Sequence, residues 1–231
     1  MAVHLFGGRL MEYTLLRSRR KTLAVSIQKD GCVEVRAPYR MPLPAIERFL
    51  ESKKDWIEEK AGLAKRAAEK RERFRIAPGS TLRLAGREYP VLPGEGPRLA
   101  DGRIYVPDAP FEEWKPELAA FLKQLAQEEI ARRTAWYAAQ MGVQPASVRI
   151  GRSNTSWGTC SGKNGLNFTW KLIFAEPEVL DYVVVHELAH IREHNHSARF
   201  WRVVESVLPD WRERRAKLKP LQQKLAAEAW D

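Results

Sequence analysis

Four of the chain's five histidines fall within eleven residues, His186-Glu187-Leu188-Ala189-His190-Ile191-Arg192-Glu193-His194-Asn195-His196. Random placement of five histidines over 231 positions almost never produces such a cluster. The apolar run Tyr182-Val183-Val184-Val185 leads into it and suits a helix buried in a core. Within the H-E-x-x-H pattern, His186 and His190 stand four residues apart, about 40° in direction at 3.6 residues per turn. Both imidazoles therefore leave one helix face about one turn from each other, where they can grip one metal ion.

A catalytic zinc generally takes three protein ligands and keeps a fourth position for water. In a continuing helix His194 would lie about 12 Å along the axis from His186, beyond the reach of Zn–N bonds of about 2.0–2.1 Å. The helix must stop and the chain reverse before a third ligand arrives. Asn195 adopts a left-handed backbone more cheaply than most residues, and Ser197 reads as the N-cap of a helix carrying Phe200, Trp201, Val203, Val204 and Val207. This favours His196 as the third ligand; Glu205 on the following helix is the alternative, and His194 or no third protein ligand are what remains. Glu187, next to the first ligand, is placed as general base for a water acidified by the metal. H-E-x-x-H also arises by chance, so a surface histidine cluster beside an ordinary helix carboxylate is the competing reading. The apolar lead-in, the later histidine behind a turn and the flanking strand weigh against it.

Composition narrows the class. Of 231 residues, 44% are hydrophobic, 29% charged and 10% aromatic, which is globular usage and removes collagen-like, coiled-coil and wholly disordered readings. The chain is long enough to bury a core without staples and falls between one large domain and two small ones. Its apolar runs stop well short of the roughly 18 to 20 residues of a membrane span, so no bilayer crossing is expected. The N-terminus, MAVHLFGGRLMEYTLLRSRRK, lacks a basic segment ahead of an apolar one and a small-residue cleavage site, so no secretory signal is expected. Cys32 and Cys160 make no disulfide framework, and free thiols in the cytoplasm are the expectation. The net charge of +10 is spread over Arg17 to Arg40, Lys53 to Arg75 and Arg199 to Lys219 with acidic residues interspersed. It reads as a solvated basic surface ahead of a nucleic-acid or other anion site.

Along the chain, Leu23, Val25 and Ile27 alternate with polar residues, Asp30-Gly31 follows, and Val33, Val35 and Ala37 alternate again. The pattern predicts a β-hairpin with Gly31 at positive φ. Ile46, Phe49, Leu50, Trp56, Ile57, Leu63 and Ala64 predict one long helix to about Phe74. Strand-like alternation returns over Thr81 to Leu92 and Leu99 to Val106, around Gly86 and Asp101-Gly102. Pro107 to Pro110 is the connector. Trp114, Leu118, Phe121, Leu122, Leu125 and Tyr137 predict a second long helix from about Glu112 to Met141. Val148 to Ile150 and Leu166 to Leu172 read as strands separated by a polar loop, and Leu180 to Arg192, Ser197 to Leu208 and Trp211 to about Ala226 as helices. There is no internal repeat or low-complexity segment.

Taken together, several segments resemble the YgjP-like metallopeptidase family, a relative of the SprT-like zinc proteases. They are Arg19-Arg20-Lys21-Thr22-Leu23, Val35-Arg36-Ala37-Pro38, Lys54-Asp55-Trp56-Ile57, Ser156-Trp157-Gly158-Thr159-Cys160-Ser161, Leu166-Asn167-Phe168-Thr169-Trp170-Lys171-Leu172, Val185-His186-Glu187-Leu188-Ala189-His190, Asn195-His196-Ser197 and Phe200-Trp201. The resemblance covers most of the chain. It implies an α+β fold in which an N-terminal α+β region, residues 1–107 with two β-hairpin units and a long helix, precedes a zincin-like metal-binding catalytic domain, residues 108–231. That domain would comprise the long helix, a small antiparallel sheet, the H-E-x-x-H helix and C-terminal helices. The resemblance also implies Zn2+ on His186, His190 and His196 with Glu187 as general base. The family loop usually reads Arg-Trp-Gly-Ser-Cys, whereas this chain has Ser156 and Thr159 in the Arg and Ser positions; Arg152 is a substitute for the missing Arg.

Trp157, Cys160 and Phe168 read first as residues packing that loop on the core, with substrate contact, or Cys160 as a fourth ligand, as the functional alternatives. Leu166 to Leu172 reads equally as core strand or as an edge that pairs with an extended peptide. Arg152, Asn154 and Tyr182 are candidate oxyanion stabilisers. The expected function is zinc-dependent hydrolysis of a peptide or unfolded-protein substrate, cytoplasmic, with Ni2+ or another divalent metal able to replace zinc at three imidazoles. The resemblance brings one rival, nucleoside triphosphate (UTP) pyrophosphohydrolysis assisted by Mg2+. A non-catalytic, nucleic-acid-associated zinc adaptor is a second.

Overall fold

The computed structural model describes residues 2–6, 9–151, 156–228 and 230. The chain forms two compact units, one built on the residues up to Phe74 and the other on Arg75–Leu225.

The first unit contains β1 (Ala2–Phe6), β2 (Arg9–Ser18), β3 (Ala24–Ile27) and β4 (Val33–Pro38), followed by α1 (Leu43–Glu51) and α2 (Lys54–Arg73). The sheet order is β1-β2-β4-β3, with β2 parallel to β4. The expected β3–β4 hairpin is present. Gly31 has φ +89°, and a Cβ there would lie 3.0 Å from the Ala61 carbonyl oxygen on α2, so both backbone conformation and helix packing require glycine. Strands β1 and β2 stand outside the sequence expectations. Tyr13, Val33, Val35, Ala37, Ile46, Leu50 and Ile57 form the core. The helix expected from Ile46 to Phe74 is two helices: the Ser52 hydroxyl donates to the Phe49 carbonyl at 2.7 Å, and the chain leaves helical geometry at Lys53.

The second unit opens with β5 (Thr81–Leu84), β6 (Arg87–Pro93), β7 (Arg98–Ala100) and β8 (Arg103–Val106), in the order β5-β6-β8-β7. Ala85-Gly86 and Asp101-Gly102 all have positive φ, the geometry of two-residue hairpin turns. The Ala85 amide donates to the Ile173 carbonyl at 2.6 Å, and a Cβ on Gly86 would sit 2.6 Å from Pro177 Cδ. These contacts tie the sheet to the C-terminal half, so the compact units divide at Phe74–Arg75, ahead of the connector at Pro107 to Pro110.

Helix α3 (Phe111–Met141) buries Trp114, Leu118, Leu122, Ala126, Ile130, Thr134 and Ala138 along one stripe. It stops at Gly142, φ +60°, where the Val143 amide reaches back to the Ala138 carbonyl at 3.0 Å and the Arg192 guanidinium donates to the Met141 carbonyl. Next come β9 (Ser147–Gly151), β10 (Gly158–Cys160) and β11 (Gly165–Thr169), in the order β10-β11-β9. This sheet is mixed, not antiparallel, because β9 runs parallel to β11. Strand β11 is central, so of the two readings of Leu166 to Leu172 the core strand holds and the peptide-binding edge does not. It also ends at Thr169, since Trp170–Phe174 forms a 3-10 helix.

Helices α4 (Pro177–Ala189), α5 (Ala198–Val207), α6 (Trp211–Ala216) and α7 (Leu218–Ala226) complete the unit. The helix expected from Trp211 to Ala226 breaks at Lys217, because Pro220 has no N–H to offer the Ala216 carbonyl. Among the described residues no helix is long and apolar enough to cross a membrane.

Candidate metal centre

Helix α4 is apolar almost all round: Val179, Leu180, Tyr182, Val183, Val184, Val185, Leu188 and Ala189 are buried. A helix so enclosed holds its side chains in fixed directions, and His186 and His190 leave one face with their rings 5.0 Å apart. The helix ends as the sequence requires. The amides of Ile191, Arg192 and Glu193 turn back to Leu188 and Ala189 carbonyls, and the chain reverses before α5. Asn195 takes part through its side chain rather than through the expected left-handed backbone: its Oδ1 accepts from the Ser197 amide at 3.3 Å, and its φ is not positive. Ser197 then caps α5, its hydroxyl accepting from the Phe200 amide at 3.4 Å.

This reversal swings His196 back over α4. Its Nε2 lies 3.1 Å from His186 Nε2, and one nitrogen from each of His186, His190 and His196 falls within 4.8 Å of the others. Ligands about 2.0–2.1 Å from a tetrahedral ion stand about 3.3 Å apart, so the triad fits one small divalent ion. Phe200, fully buried, lies beneath all three rings with centroids 4.5 to 4.9 Å away. Glu205 pairs instead with Arg212 at 3.0 Å, and neither His194 nor Cys160 joins the cluster.

The electrostatics suit metal ligation. Burial drives the His186 pKa down to about 3, helped by the neighbouring His190 and His196 and by Arg215. Burial also lowers that of His190. Both rings are therefore neutral at pH 7 and offer lone pairs without first losing a proton. His190 Nδ1 lies 3.2 Å from the Glu193 carbonyl, to which it can only donate, leaving Nε2 free to ligate. His186 Nδ1 lies 3.4 Å from the Tyr182 hydroxyl.

Glu187 is 5% exposed, and burial pushes its pKa up to about 7, the poise of a general base working near neutrality. What admits it is Gly158 on β10, where a Cβ would stand 2.6 Å from Glu187 Cγ and 2.8 Å from Oε1. Sequence reasoning singled out the Trp-Gly-Thr-Cys stretch but not this glycine; its one signal was a glycine inside the resembling loop. Cys160 titrates high, through burial and then the charge of Glu187. Phe168 is core. Trp157 lines a cavity of about 460 Å³ beside the imidazoles, together with Tyr182, Glu187, Trp201 and Arg215. Burial raises the Tyr182 pKa to about 12, with the charges of Arg215 and Glu187 acting on it in opposite senses, so its hydroxyl keeps its proton. Of the expected oxyanion groups, Arg152 and Asn154 lie outside the described residues.

The model of the YgjP-like metallopeptidase domain matches residues 21–220. The chain belongs to the YgjP-like metallopeptidase family. Comparison with curated proteins finds no match. Among solved structures, this YgjP-like chain is similar to the metallopeptidase zymogen abylysin of Pyrococcus abyssi, at 27% identity over 38% of this chain and 90% of that one, with a TM-score of 0.36. Membership of a metallopeptidase family implies a divalent metal and a peptide substrate.

Proposed function

We propose that this chain is a zinc-dependent peptidase in which His186, His190 and His196 hold the ion and Glu187 is the general base. The observation that carries the reading is a buried carboxylate, poised near pH 7, directly following one of three convergent imidazoles. When bound, the ion supplies Lewis-acid polarisation of a scissile carbonyl and acidifies a water. The Glu187 carboxylate would accept a proton from the attacking water and hand it to the leaving amine. Trp157 and Trp201 line the cavity and Phe200 backs the three imidazoles, giving the site apolar walls. The tyrosyl proton of Tyr182 makes it the oxyanion donor we favour.

Substrate backbone would pair with β10 rather than with the central β11. The Thr169 amide donates to the Trp157 carbonyl and the Ser161 amide to the Gly165 carbonyl. Antiparallel alternation then turns the backbone N–H and C=O groups of Trp157, Thr159 and Ser161 toward β11 and leaves those of Gly158 and Cys160 on the free edge, with Gly158 packed against Glu187. We assign the catalytic work to residues 108–231, and the free Cys32 and Cys160 accord with a reducing cytoplasm.

Two measurements test this. His196→Ala should lose most of its zinc while His194→Ala and Glu205→Ala keep theirs; equal zinc in all three removes the ligand assignment. Zinc-loaded protein should cut an unfolded protein. Release of pyrophosphate from UTP without peptide cleavage would transfer the site to nucleotide hydrolysis.

A further inference from the structure

The cations around α6 divide into two kinds. Arg212 pairs with Glu205 at 3.0 Å, Arg214 with Asp210 at 2.8 Å, and Lys217 with Glu178 at 2.9 Å. Arg215 pairs with no carboxylate among the described residues. Its guanidinium lies over the Trp201 ring, 5.4 Å from the centroid, and lines the cavity beside His186 and Glu187. Arg214 fixes this direction: it donates to the Glu178 carbonyl at 3.4 Å and stands 4.0 Å from Asp181, locking α6 against α4. The next side chain, about 100° round the helix, is left for the cavity.

We propose that Arg215 is a specificity-determining residue that receives a substrate carboxylate, so that peptides carrying a negative charge into this cavity are selected. The proposal rests on the peptidase reading of the same site. Its chemistry is a planar fork of N–H donors on an aromatic face, which matches a carboxylate bidentately. The charge count favours a monoanion. Arg215 is the one arginine or lysine among the described residues that line the cavity, which Glu187 lines as well. Away from the metal ligands, one guanidinium balances one carboxylate. The carboxylate has two sources, an acidic side chain or the free C-terminus of a peptide.

The experiment uses zinc-loaded Glu187→Gln protein, which binds without turning over, titrated with alanine-based hexapeptides and followed by tryptophan fluorescence, since Trp157 and Trp201 line the cavity. The peptides differ only in Glu against Gln at each position in turn, and in a free against an amidated C-terminus. One arm should bind about tenfold tighter when charged, and the arm that does so names the source. Adding Arg215→Gln should abolish the difference and Arg215→Lys should restore part of it, with zinc content unchanged in both. Equal affinity for charged and uncharged peptides, or a preference that survives Arg215→Gln, overturns the proposal. Charge-dependent binding by a wild-type protein that cuts no peptide would instead refute the peptidase reading and leave the carboxylate site standing. Indiscriminate cleavage would do the reverse.

Discussion

Asp181 and Glu187 stand six residues apart on α4, one near each end, in opposite surroundings. Asp181 is gripped by the Arg133 guanidinium, with Arg214 at 4.0 Å and Arg133 also bound to Glu129 at 2.6 Å and to the Pro177 carbonyl at 3.1 Å. Burial alone would depress the pKa of Arg133, but the hydrogen bonds it donates to Asp181 and Glu129 outweigh it and raise it. Glu187 has no such partner among the described residues, and burial acts on it unopposed. A buried charge that is matched serves as a fastening; one that is unmatched is tolerated where its proton has work to do. On this helix the fastening clamps α4 to α3 and α6, and the unmatched end faces the imidazoles.

The comparison breaks first at Glu187. Glu187→Gln keeps the shape and removes the proton acceptor, so turnover should fall by about 10³-fold or more while zinc content and fold persist. Retained turnover, measured on matched zinc-loaded protein, would make Glu187 as structural as Asp181. Arg133→Met attacks the other end. It strands Asp181 in a largely dry junction and should cost about 3 kcal/mol in urea unfolding, with turnover per folded molecule little changed. A large loss of turnover at full stability would show that the clamp tunes the chemistry directly.

A pH series sharpens the contrast. The folded pKa of Glu187, about 7, stands above its ordinary 4.5, so the metal-free folded protein holds an extra proton between those values and loses stability as pH rises through that window. His186 runs the other way: its folded value of about 3 lies below 6.5, so its contribution is complete above pH 6.5 and is lost as pH falls toward 3. The two trends oppose each other in the wild type. The difference between metal-free wild type and Glu187→Gln isolates the carboxyl: the variant should gain up to roughly 3 kcal/mol relative to wild type between pH 4.5 and 8. A difference independent of pH would mean that Glu187 is solvated.

The Glu187 end of this contrast could be read from the chain; the Asp181 clamp could not. The Tyr182 to Val185 run announced a buried helix, and the four-residue spacing set His186 beside His190. The argument that a continuing helix carries His194 too far made a reversal necessary, and the reversal is present. What stayed hidden depends on partners distant in sequence. Strand β2 pairs in parallel with β4 across some twenty residues, with no local turn between them of the kind that announced the β3–β4 hairpin. Strand β10 is three residues long, too short for alternation to register, and reads as polar loop. Arg215 looks like any other member of a basic stretch until its neighbours' ion pairs are seen to exclude it. Gly158 owes its importance to a side chain 29 positions later, which no local pattern encodes.

That glycine supplies the finest test, because a second glycine in the same sheet serves as its control. A Cβ at Gly158 would meet Glu187 Cγ at 2.6 Å and Cδ at 2.9 Å, whereas a Cβ at Gly151 would meet the Asn167 amide at 2.8 and 2.9 Å. The crowding is similar and the neighbours differ. Gly158→Ala must push the Glu187 carboxylate aside, and a displacement of about 1 Å at a catalytic group costs on the order of 10²-fold in turnover. Gly151→Ala displaces a sheet side chain and should cost stability with turnover per folded molecule preserved. Steady-state kinetics on zinc-matched samples of both variants decide the matter. Equal losses would mean that crowding this sheet anywhere disturbs catalysis, and that Gly158 holds no special relation to the general base.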